Sequence, residues 1–349
     1  MATIKYTGVG IRAMAACVPS QKVSNEDLTA IMPKEDVDKV VKAVGIHERR
    51  VCDSQTIASD LCYKAALKLF EDNNIDPASI DMLLFMSQCP DYPMPATACI
   101  LQNRLGLSKD CAAMDLTLAC SGYVYALSAA FAYASMPGIN RVLLLDGESL
   151  TKIVNPRDKV NVPLYGDAGT ATLVEKGDFK ESIFILRTDG SGEDAVKVPA
   201  GNRNPITPES LVVTEREDGN LRNDMQIYMD GMEVFNFAIK VVPKGVKEML
   251  SLTEKTIDSI DYYLFHQSNR FMTDFFVKKL KIDPAKVPYS IDRFGNTSSA
   301  SIPLTIVSEL EGKLQKPTEV MMCGFGAGLS WGTAFLTFEG CKISEIIDY

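Results

Sequence analysis

Met114-Asp-Leu-Thr-Leu-Ala-Cys120-Ser-Gly-Tyr-Val-Tyr-Ala-Leu127 is the stretch that decides the fold of this chain. A strand-like apolar run over residues 114–118 leads to a cysteine with small neighbours, and a helix-like apolar run over residues 123–133 follows at once. A strand that leads directly into an apolar helix indicates an α/β protein. A thiol at a helix start meets unpaired backbone N–H groups and the positive end of the helix dipole, so we expect the thiolate of Cys120 to be favoured.

Cys120 can also be interpreted as an ordinary core residue. The chain has nine cysteines, and a buried cysteine is more often a small apolar side chain than a nucleophile. A thiolate nucleophile needs a partner, and His266, one of only two histidines, ends another strand-like run. The local sequence therefore leaves both interpretations open.

Composition limits the class of protein. A chain of 349 residues with 46% hydrophobic residues can bury a large core, and its length suggests two domains or one of double size. The formal net charge of −9 argues against nucleic acid as a partner. The most apolar stretch, residues 122–134, is too short to cross a bilayer and predicts a buried core helix, so we expect no membrane partner.

Cysteine and histidine usage indicates the compartment. The cysteines form no CxxC pair and histidine is nearly absent, so we expect neither a metal site nor a disulfide framework. The first 19 residues contain no apolar core of a signal peptide. We therefore predict a reduced, cytoplasmic enzyme.

Three segments of the first half recur in the second half, in the same order and at similar spacing. This duplication predicts two copies of one α/β unit, residues 1–178 and residues 179–349. The matched pairs are residues 79–85 with 259–265, residues 141–147 with 319–325, and residues 169–173 with 332–336.

Both halves alternate strand-like and helix-like segments. Apolar residues at every fourth position predict a helix over residues 57–72, and Ser24 followed by Asp27 predicts a short capped helix before Pro33. The polar segment 189–224 predicts a surface loop or hairpin region. Alternating elements indicate sheets that are covered by helices on both faces. Buried strands are predicted at residues 81–86, 141–145, 262–265 and 320–323.

Three further motifs could carry chemistry, and each has a plainer interpretation. His266, in Tyr263-Leu-Phe-His266-Gln-Ser-Asn269, could be a satisfied core histidine. Asn296 precedes an amphipathic run and could be a helix cap. Gly324-Phe-Gly-Ala-Gly328 is a poor phosphate loop, but as a turn after a strand it could place a backbone N–H against a reacting carbonyl.

The order cysteine, histidine, asparagine and glycine turn resembles that of the β-ketoacyl-acyl-carrier-protein synthase III family, of the thiolase superfamily. The nucleophile motif of that family is similar to Ala119-Cys120-Ser-Gly-Tyr-Val-Tyr-Ala-Leu127. Five other motifs match in order along nearly the whole chain. They are Gly45-Ile-His-Glu-Arg-Arg50, Tyr165-Gly-Asp-Ala-Gly169, His266-Gln-Ser-Asn269, Asp292-Arg-Phe-Gly-Asn-Thr-Ser298 and Gly324-Phe-Gly-Ala-Gly-Leu-Ser-Trp-Gly332.

The resemblance implies a thiolase-like α/β fold. Two βαβαβαββ halves would form a five-layered αβαβα sandwich with Cys120 at the start of a buried central helix. It also implies a homodimer, in which the segment of residues 90–97 reaches toward the acyl pocket of the partner subunit. Met94 would then help to limit that pocket.

The resemblance also implies a two-stage Claisen condensation. Cys120 would take an acyl group from a thioester, with backbone N–H groups of Cys120, Gly326 and Ala327 as the oxyanion hole. Malonyl-acyl-carrier protein would then lose CO₂ while His266 and Asn296 donate hydrogen bonds to its thioester oxygen. No metal or redox cofactor is implied, because the phosphopantetheine arm arrives on the substrates.

The implied partners are an acyl-carrier protein and an acyl donor carried by coenzyme A or by a carrier protein. Because carrier proteins are acidic and this chain is negative, docking needs a local basic patch. An ordinary solvated helix face is the alternative interpretation of that patch. The resemblance places the carrier-protein contacts at Gln267, Arg270, Lys278 and Lys279.

The sequence departs from the family pattern at four positions. Lys39 stands where an adenine-stacking tryptophan is usual, and Ala43 and Lys159 stand where arginines that contact coenzyme A are usual. We therefore expect a weak grip on the coenzyme A nucleotide and a donor other than acetyl-coenzyme A. Ala327 replaces a glycine in the oxyanion turn and would be strained if its φ were positive.

Three alternative functions remain from the motifs. A thiolase would condense without decarboxylation and use a second cysteine, near which Cys323 falls, but thiolases lack the asparagine found at Asn296. An acyltransferase to an alcohol or amine is likewise disfavoured by Asn296. A non-catalytic carrier-binding subunit would not need the intact Cys120 and His266.

Overall fold

Two mixed β-sheets organise the chain, and the computed structural model describes residues 3–349. Within these residues the helices are α1 Lys34–Val44, α2 Ala58–Asn73, α3 Thr97–Arg104, α4 Gly122–Ser135, α5 Gly231–Thr253, α6 Arg270–Leu280, α7 Ile291–Phe294 and α8 Ser301–Leu310.

The strands fall into the two large sheets and three small two-stranded pairs. Their bounds are β1 Thr3–Tyr6, β2 Val9–Val18, β3 Lys22–Ser24, β4 Glu48–Arg50, β5 Met82–Met86, β6 Ala112–Leu116, β7 Arg141–Glu148, β8 Ala168–Lys176, β9 Ser182–Thr188, β10 Val196–Lys197, β11 Thr214–Glu215, β12 Leu221–Arg222, β13 Tyr228–Met229, β14 Tyr262–Phe265, β15 Thr318–Gly326, β16 Ser330–Phe338, β17 Lys342–Ile343 and β18 Ile347–Asp348.

The two large sheets share one core arrangement. In the first sheet the order is β17-β2-β8-β7-β5-β6, with β18 also paired to β2, and in the second it is β1-β9-β16-β15-β14. In each sheet a parallel pair, β5 with β7 or β14 with β15, lies beside an antiparallel pair, β7 with β8 or β15 with β16. The repeated sequence segments occupy these equivalent strands, which accounts for the duplication.

The second half departs from the strand pattern of the first in one place. β6 pairs with β5 at the edge of the first sheet, whereas no strand forms between α6 and α8 in the described part of the second half. Pro288 lies in that interval and has no N–H to donate to a ladder. β14 is therefore the edge of its sheet.

Helices and sheets alternate in five layers, so the predicted αβαβα order is confirmed. Helices α2 and α3 cover the outer face of the first sheet, α4 and α8 lie between the sheets, and α5, joined by α6, covers the outer face of the second. α4 is apolar on nearly all sides, as a helix between two sheets must be. Its start is where the two halves meet.

The chain ends tie the two halves together. β1 pairs with β9 in the second sheet, while β17 and β18 pair with β2 in the first. The connection from β8 to β9, residues 177–181, crosses from one sheet to the other. We propose the boundary of the two units near residue 178, within this crossing.

Most predicted elements form, with shifted ends. The helix predicted over residues 57–72 is α2, and the polar segment 189–224 forms short strands and turns as expected. Ser24 caps a 3₁₀ helix, Asn25–Ala30, by accepting the Glu26 N–H, and α1 begins only after Pro33. No helix in the described residues combines the length and apolar character needed to cross a membrane.

Phe131 tests how strongly the central layer joins the sheets. It is fully buried on α4, and its ring meets those of Tyr6 and Phe184 edge-on, at 5.8 and 5.5 Å between centroids. Phe131→Ala should lower the free energy of unfolding by about 3–5 kcal/mol through lost contacts and a cavity. Urea denaturation measures this change. Leu67→Ala, at a position 37% exposed on α2, is the control and should cost far less.

Candidate active site

Cys120 lies in the tight turn between β6 and α4. The strand ends at Leu116, and Ser121 is the residue that precedes the first helical turn. The turn closes through a hydrogen bond of 2.7 Å from the Gly122 N–H to the Ala119 carbonyl. The Cys120 Sγ is half-buried and lies 3.5 Å from the Ser298 Oγ. The start of the central helix therefore presents a thiol to residues of the second half.

The end of β15 passes directly against this turn. A Cβ added at Gly326 would lie 2.8 Å from the Cys120 Cβ and 3.2 Å from its Sγ, and one at Gly324 would lie 3.0 Å from the Ser121 Cα. Only glycine allows so close an approach. The sequence predicted a turn at residues 324–328, but the structure continues β15 through Gly326 and turns afterwards.

Two serines hold the turn after β15. The Ser330 hydroxyl donates to the Ala327 carbonyl at 3.1 Å, and the Ser121 hydroxyl contacts the Ser330 hydroxyl at 2.7 Å. Ala327 does not have a positive φ, so the strain considered for it is not present. The turn is thereby fixed to the start of α4.

His266 follows β14 and is almost completely buried. Its N–H donates to the Cys323 carbonyl at 2.8 Å, and its Nδ1 lies 2.7 Å from the Ser301 Oγ. Ser301 Oγ already accepts the Gln267 N–H at 3.3 Å, so its own hydroxyl can donate to Nδ1, which leaves the Nε2–H as a donor. Burial lowers the pKa of His266 to about 3, so the ring is neutral at neutral pH.

Asn296 is held by its backbone and by one end of its amide. Its N–H donates to the Leu164 carbonyl at 2.8 Å, and its Oδ1 accepts the Ser298 N–H at 2.9 Å. Because Oδ1 is engaged, the amide orientation is set and Nδ2 remains available as a donor. Asn296 is not the cap of α8, which begins at Ser301; its Oδ1 accepts the first N–H of the 3₁₀ turn Ser298–Ala300 that leads into that helix.

One narrow cavity brings the three predicted residues together. Cys120, His266 and Asn296 all line it, and its volume is about 70 Å³. An open groove of about 850 Å³ beside α5 is larger, but it contains none of the three. The cavity wall is otherwise mostly apolar, with Leu150, Leu164, Val196, Ile227, Met229 and Phe325 among its residues.

The resting thiol is not the ionised form that the sequence led us to expect. Burial raises the pKa of Cys120 to about 11, the contact with Ser298 lowers it, and the negative charge of Glu148 raises it further. Desolvation thus outweighs the favourable helix start. At neutral pH Cys120 is a thiol, and its attack must be coupled to a proton transfer.

The carrier-protein residues predicted from sequence separate into buried and exposed groups. Gln267 is 1% exposed, its Nε2 donates to the Phe265 carbonyl, and its Oε1 faces the Ser290 N–H. The prediction that Gln267 contacts a partner protein is therefore wrong, because both ends of its amide serve the fold. Lys278 and Lys279 are exposed in the last turn of α6.

Arg270 begins α6 and is already paired. Its Nε donates to Asp274 at 2.9 Å, and its guanidinium carbon lies 3.6 Å from the Tyr289 ring centroid. Lys39, exposed on α1, pairs with Asp36 at 3.0 Å. Ala43 and Lys159 are also exposed.

Met94 is 84% exposed and does not line the cavity of its own chain. Cys323 is 1% exposed within β15, its thiol contacts Thr333, and burial raises its pKa to about 12. It does not line the cavity either. In the described residues no group of three or more His, Cys, Asp and Glu side chains could hold a metal ion.

Sequence analysis missed the serines that organise the site. Ser298 contacts the nucleophile, Ser299 contacts two buried carboxyl groups, and Ser301 contacts His266. The cluster of three serines within four residues directly after Asn296 was the available signal. Periodicity did not identify their separate partners, because the contacts are made across the two halves.

Comparison with known proteins gives a consistent result. The family described as 3-oxoacyl-[acyl-carrier-protein (ACP)] synthase III has a profile that matches residues 114–190, and the profile of its C-terminal region matches residues 250–338. A β-ketoacyl-[acyl-carrier-protein] synthase III of Rhodopirellula baltica is 36% identical, over 94% of this chain and 97% of that protein. One of Clostridium acetobutylicum is 34% identical, over 96% and 99%.

A solved structure has the same fold as this chain. The crystal structure of a 3-oxoacyl-(acyl-carrier protein) synthase from Burkholderia xenovorans superimposes with a TM-score of 0.93 at 38% identity, over 99% of both chains. The likeness covers both sheets and the helices between them. On sequence and structure together, this chain belongs to the 3-oxoacyl-[acyl-carrier-protein] synthase III family of the thiolase superfamily.

Proposed function

We propose that this chain is an acyltransferase that condenses a Cys120-bound acyl group with malonyl-acyl-carrier protein, with loss of CO₂, to give a 3-oxoacyl-acyl-carrier protein. The observation that carries this proposal is the meeting of one thiol and two neutral hydrogen-bond donors in a single narrow cavity. The relatives named above are synthases of this reaction class. Fatty-acid initiation or a related pathway would use the product.

The first stage is acyl transfer. The Cys120 sulfur attacks the thioester carbonyl of the donor, the carbon–sulfur bond of the donor breaks, and the thiol proton of Cys120 ends on the released thiol. Because this thiol has a raised pKa, the proton transfer and the attack must proceed together. The products are an acyl-Cys120 thioester and free coenzyme A or carrier protein.

Backbone N–H groups are assigned to hold the oxygen that becomes negative in this stage. The closeness of Gly326 to the Cys120 sulfur and the fixed turn at Ala327 support donors from Cys120 and from the Gly326–Ala327 segment. Donors fixed before the reaction lower its barrier because they need no reorganisation.

The second stage is decarboxylation and condensation. The malonyl carboxylate leaves as CO₂, its electron pair forms an enolate of the thioester, and the enolate carbon attacks the acyl-Cys120 carbonyl. The Nε2–H of His266 and the Nδ2–H of Asn296 are assigned to the thioester oxygen, where the negative charge develops. The Cys120 sulfur leaves as a thiolate and takes up a proton from solvent.

The thiolase alternative lacks a second cysteine in the right place. Cys323 is enclosed in β15, away from the cavity, with a pKa that burial raises to about 12. Asn296, which decarboxylating condensation uses, lines the cavity. No observation favours acyl transfer to an alcohol or an amine.

The proposed partner is an acyl-carrier protein that docks near α6. Lys278 and Lys279 are exposed and have no ion pair in the described residues, so their charge is available to an acidic partner. Arg270 lies two helical turns away and is partly neutralised by Asp274. Phosphopantetheine would enter the cavity as part of the substrates.

The donor is proposed to be an acyl-carrier protein or an acyl-coenzyme A other than the acetyl form. The exposed side chains of Lys39, Ala43 and Lys159 offer no aromatic ring and no guanidinium to a nucleotide. Lys39 is further engaged by Asp36. These features support weak recognition of the coenzyme A nucleotide.

We propose a homodimer in the cytoplasm. Tyr92 and Met94 are 59% and 84% exposed on the loop before α3, and Met114 is 37% exposed on the edge strand β6, so large apolar side chains are exposed near this edge of the first sheet. Contact with a second subunit would cover this edge and bring Met94 toward the partner's acyl pocket. All nine cysteines are free thiols, which supports a reducing compartment.

Replacement of Cys120 tests the nucleophile. Cys120→Ser should abolish the mass increase that the intact protein shows with acyl donors, because a serine hydroxyl is far less nucleophilic than a thiol at this site. Cys323→Ser is the matched control and should retain the increase. A Cys120→Ser protein that still gains the acyl mass would disprove the assignment.

Replacement of His266 or Asn296 tests the second stage. Each alanine variant should release CO₂ from the malonyl thioester at least about 100-fold more slowly, because one donor to the enolate oxygen is lost. Acylation of Cys120 should change much less. His47→Ala, which removes the other histidine, is the control. Wild-type decarboxylation in both cavity variants would contradict the proposed roles.

Charge reversal on α6 tests the docking surface. Lys278→Glu with Lys279→Glu should raise the KM for malonyl-acyl-carrier protein, and the effect should shrink at high salt because the charges are exposed. Acylation by a coenzyme A donor should be spared. Lys313→Glu with Lys316→Glu, in the exposed connection between α8 and β15, gives the same change in net charge as a control. Equal effects from both pairs would mean that α6 is not the docking site.

A further inference from the structure

Two carboxyl groups that the proposed reaction does not use are buried beside the nucleophile. Asp146 and Glu148 lie two residues apart on β7, so they face the same side of the sheet, and both are 0% exposed. In the described residues neither carboxyl forms an ion pair with Lys, Arg or His. Two negative charges in this position would be very unfavourable, so the pair must retain a proton.

The hydrogen bonds of Ser299 lead to the same conclusion. Its Oγ lies 2.6 Å from the Asp146 Oδ1 and 3.1 Å from the Glu148 Oε1. A hydroxyl has one proton and can donate to only one of these oxygens. The other contact is a hydrogen bond only if that carboxyl group is protonated and donates to the serine oxygen.

The surroundings indicate which carboxyl group holds the proton. Glu148 accepts the Gln88 N–H at 3.2 Å and faces the Ser87 hydroxyl at 3.4 Å, so donors surround its two oxygens. The Asp146 Oδ2 has no hydrogen-bond partner. An unpaired oxygen costs less on a neutral acid than on a carboxylate. Asp146 is therefore the acid that donates to Ser299, and Ser299 donates to Glu148.

This network is attached to the catalytic turn. Ser299 directly follows Ser298, whose φ of +52° lies in the left-handed region, where a residue with a side chain is strained. The Ser298 Oγ contacts the Cys120 sulfur, and the Ser298 N–H donates a hydrogen bond to the Asn296 amide oxygen. The bonds of Ser299 to two strand residues therefore help to hold this strained turn in place.

The network also acts on the nucleophile through charge. Burial raises the pKa of Cys120 most, and the negative charge of Glu148 raises it further. Burial raises the pKa of Glu148 to about 7 and holds that of Asp146 well above its usual range, so Glu148 is the member that changes charge near neutral pH. The other titratable groups that face this pair are the thiols of Cys62 and Cys89 and the hydroxyls of Tyr123 and Tyr165.

We propose that Asp146, Ser299 and Glu148 form a proton-sharing positioning network that holds the turn at Ser298, and that ionisation of Glu148 reduces the reactivity of the Cys120 thiol. The inference rests on Cys120 being the reacting thiol and not on which thioester it uses. The physical cause is direct: a negative carboxylate nearby disfavours a second negative charge on sulfur.

Alkylation of Cys120 by iodoacetamide tests the charge effect without any substrate. The rate at Cys120 is followed from pH 6 to pH 10 by mass spectrometry of the Cys120 peptide. Glu148→Gln keeps the acceptor for Ser299 but cannot ionise. Alkylation of Cys120 at pH 8 should therefore be about threefold to tenfold faster than in the wild type, and the curve of alkylation rate against pH should move to lower pH. Asp146→Asn should leave the dependence of the alkylation rate on pH unchanged, because an amide N–H donates to Ser299 as the acid does.

Asp167→Asn is the matched control. Asp167 is also 0% exposed, but it accepts hydrogen bonds from Cys52 and Thr151 and not from Ser299. Its replacement should not move the profile. A folded Glu148→Gln protein with the wild-type profile, or an Asp146→Asn protein that shows the shift instead, would overturn the proposal.

Infrared spectroscopy tests the proton assignment independently of reactivity. The difference spectrum of wild type minus Asp146→Asn at pH 8 should contain the carbonyl band of a protonated carboxylic acid. The difference spectrum with Glu148→Gln at the same pH should contain carboxylate bands instead. The reverse pattern would show that the proton is on Glu148. This measurement identifies the protonated carboxyl group even if one of the substitutions also changes the alkylation rate by altering side-chain packing.

Discussion

The close contact between the end of β15 and the Cys120 turn is the constraint on which the site depends. Glycines at positions 324 and 326 let two backbones from different halves of the chain meet where any side chain would collide with the turn. The same strand accepts the His266 N–H through the Cys323 carbonyl, so β15 fixes the histidine as well as the oxyanion turn. The spacing of nucleophile and histidine is thereby set by rigid strands.

A four-residue segment completes this arrangement. Ser298, Ser299 and Ser301 each reach a different partner: the nucleophile, the buried carboxyl pair and the histidine. Asn296 stabilises the segment by accepting the Ser298 N–H. The left-handed backbone conformation of Ser298 is tolerated because the contacts of the residues before and after it hold the segment in place. The three serine hydroxyls thus find hydrogen-bond partners within the core.

The site relies on neutral donors because it is buried. Burial lowers the pKa of His266 to about 3, so the imidazole is an uncharged donor, and the Asn296 amide is uncharged by nature. Neutral dipoles stabilise a negative charge that develops during the reaction without placing a fixed charge in an apolar cavity beforehand. The same burial keeps the Cys120 thiol protonated and makes the charge of Glu148 important.

The sequence by itself determined the duplicated α/β pattern and, through the order of its motifs, the meeting of Cys120, His266 and Asn296 in one cavity. Local patterns carry this information, since strand runs, the apolar helix after Cys120 and the order of motifs are all short-range features. Only the tertiary structure decided that the Cys120 thiol is protonated, that Gln267 is buried, and that Asp146 and Glu148 share Ser299. Those properties depend on desolvation and, for Cys120 and the Ser299 network, on contacts between residues more than 150 positions apart, which no local pattern encodes.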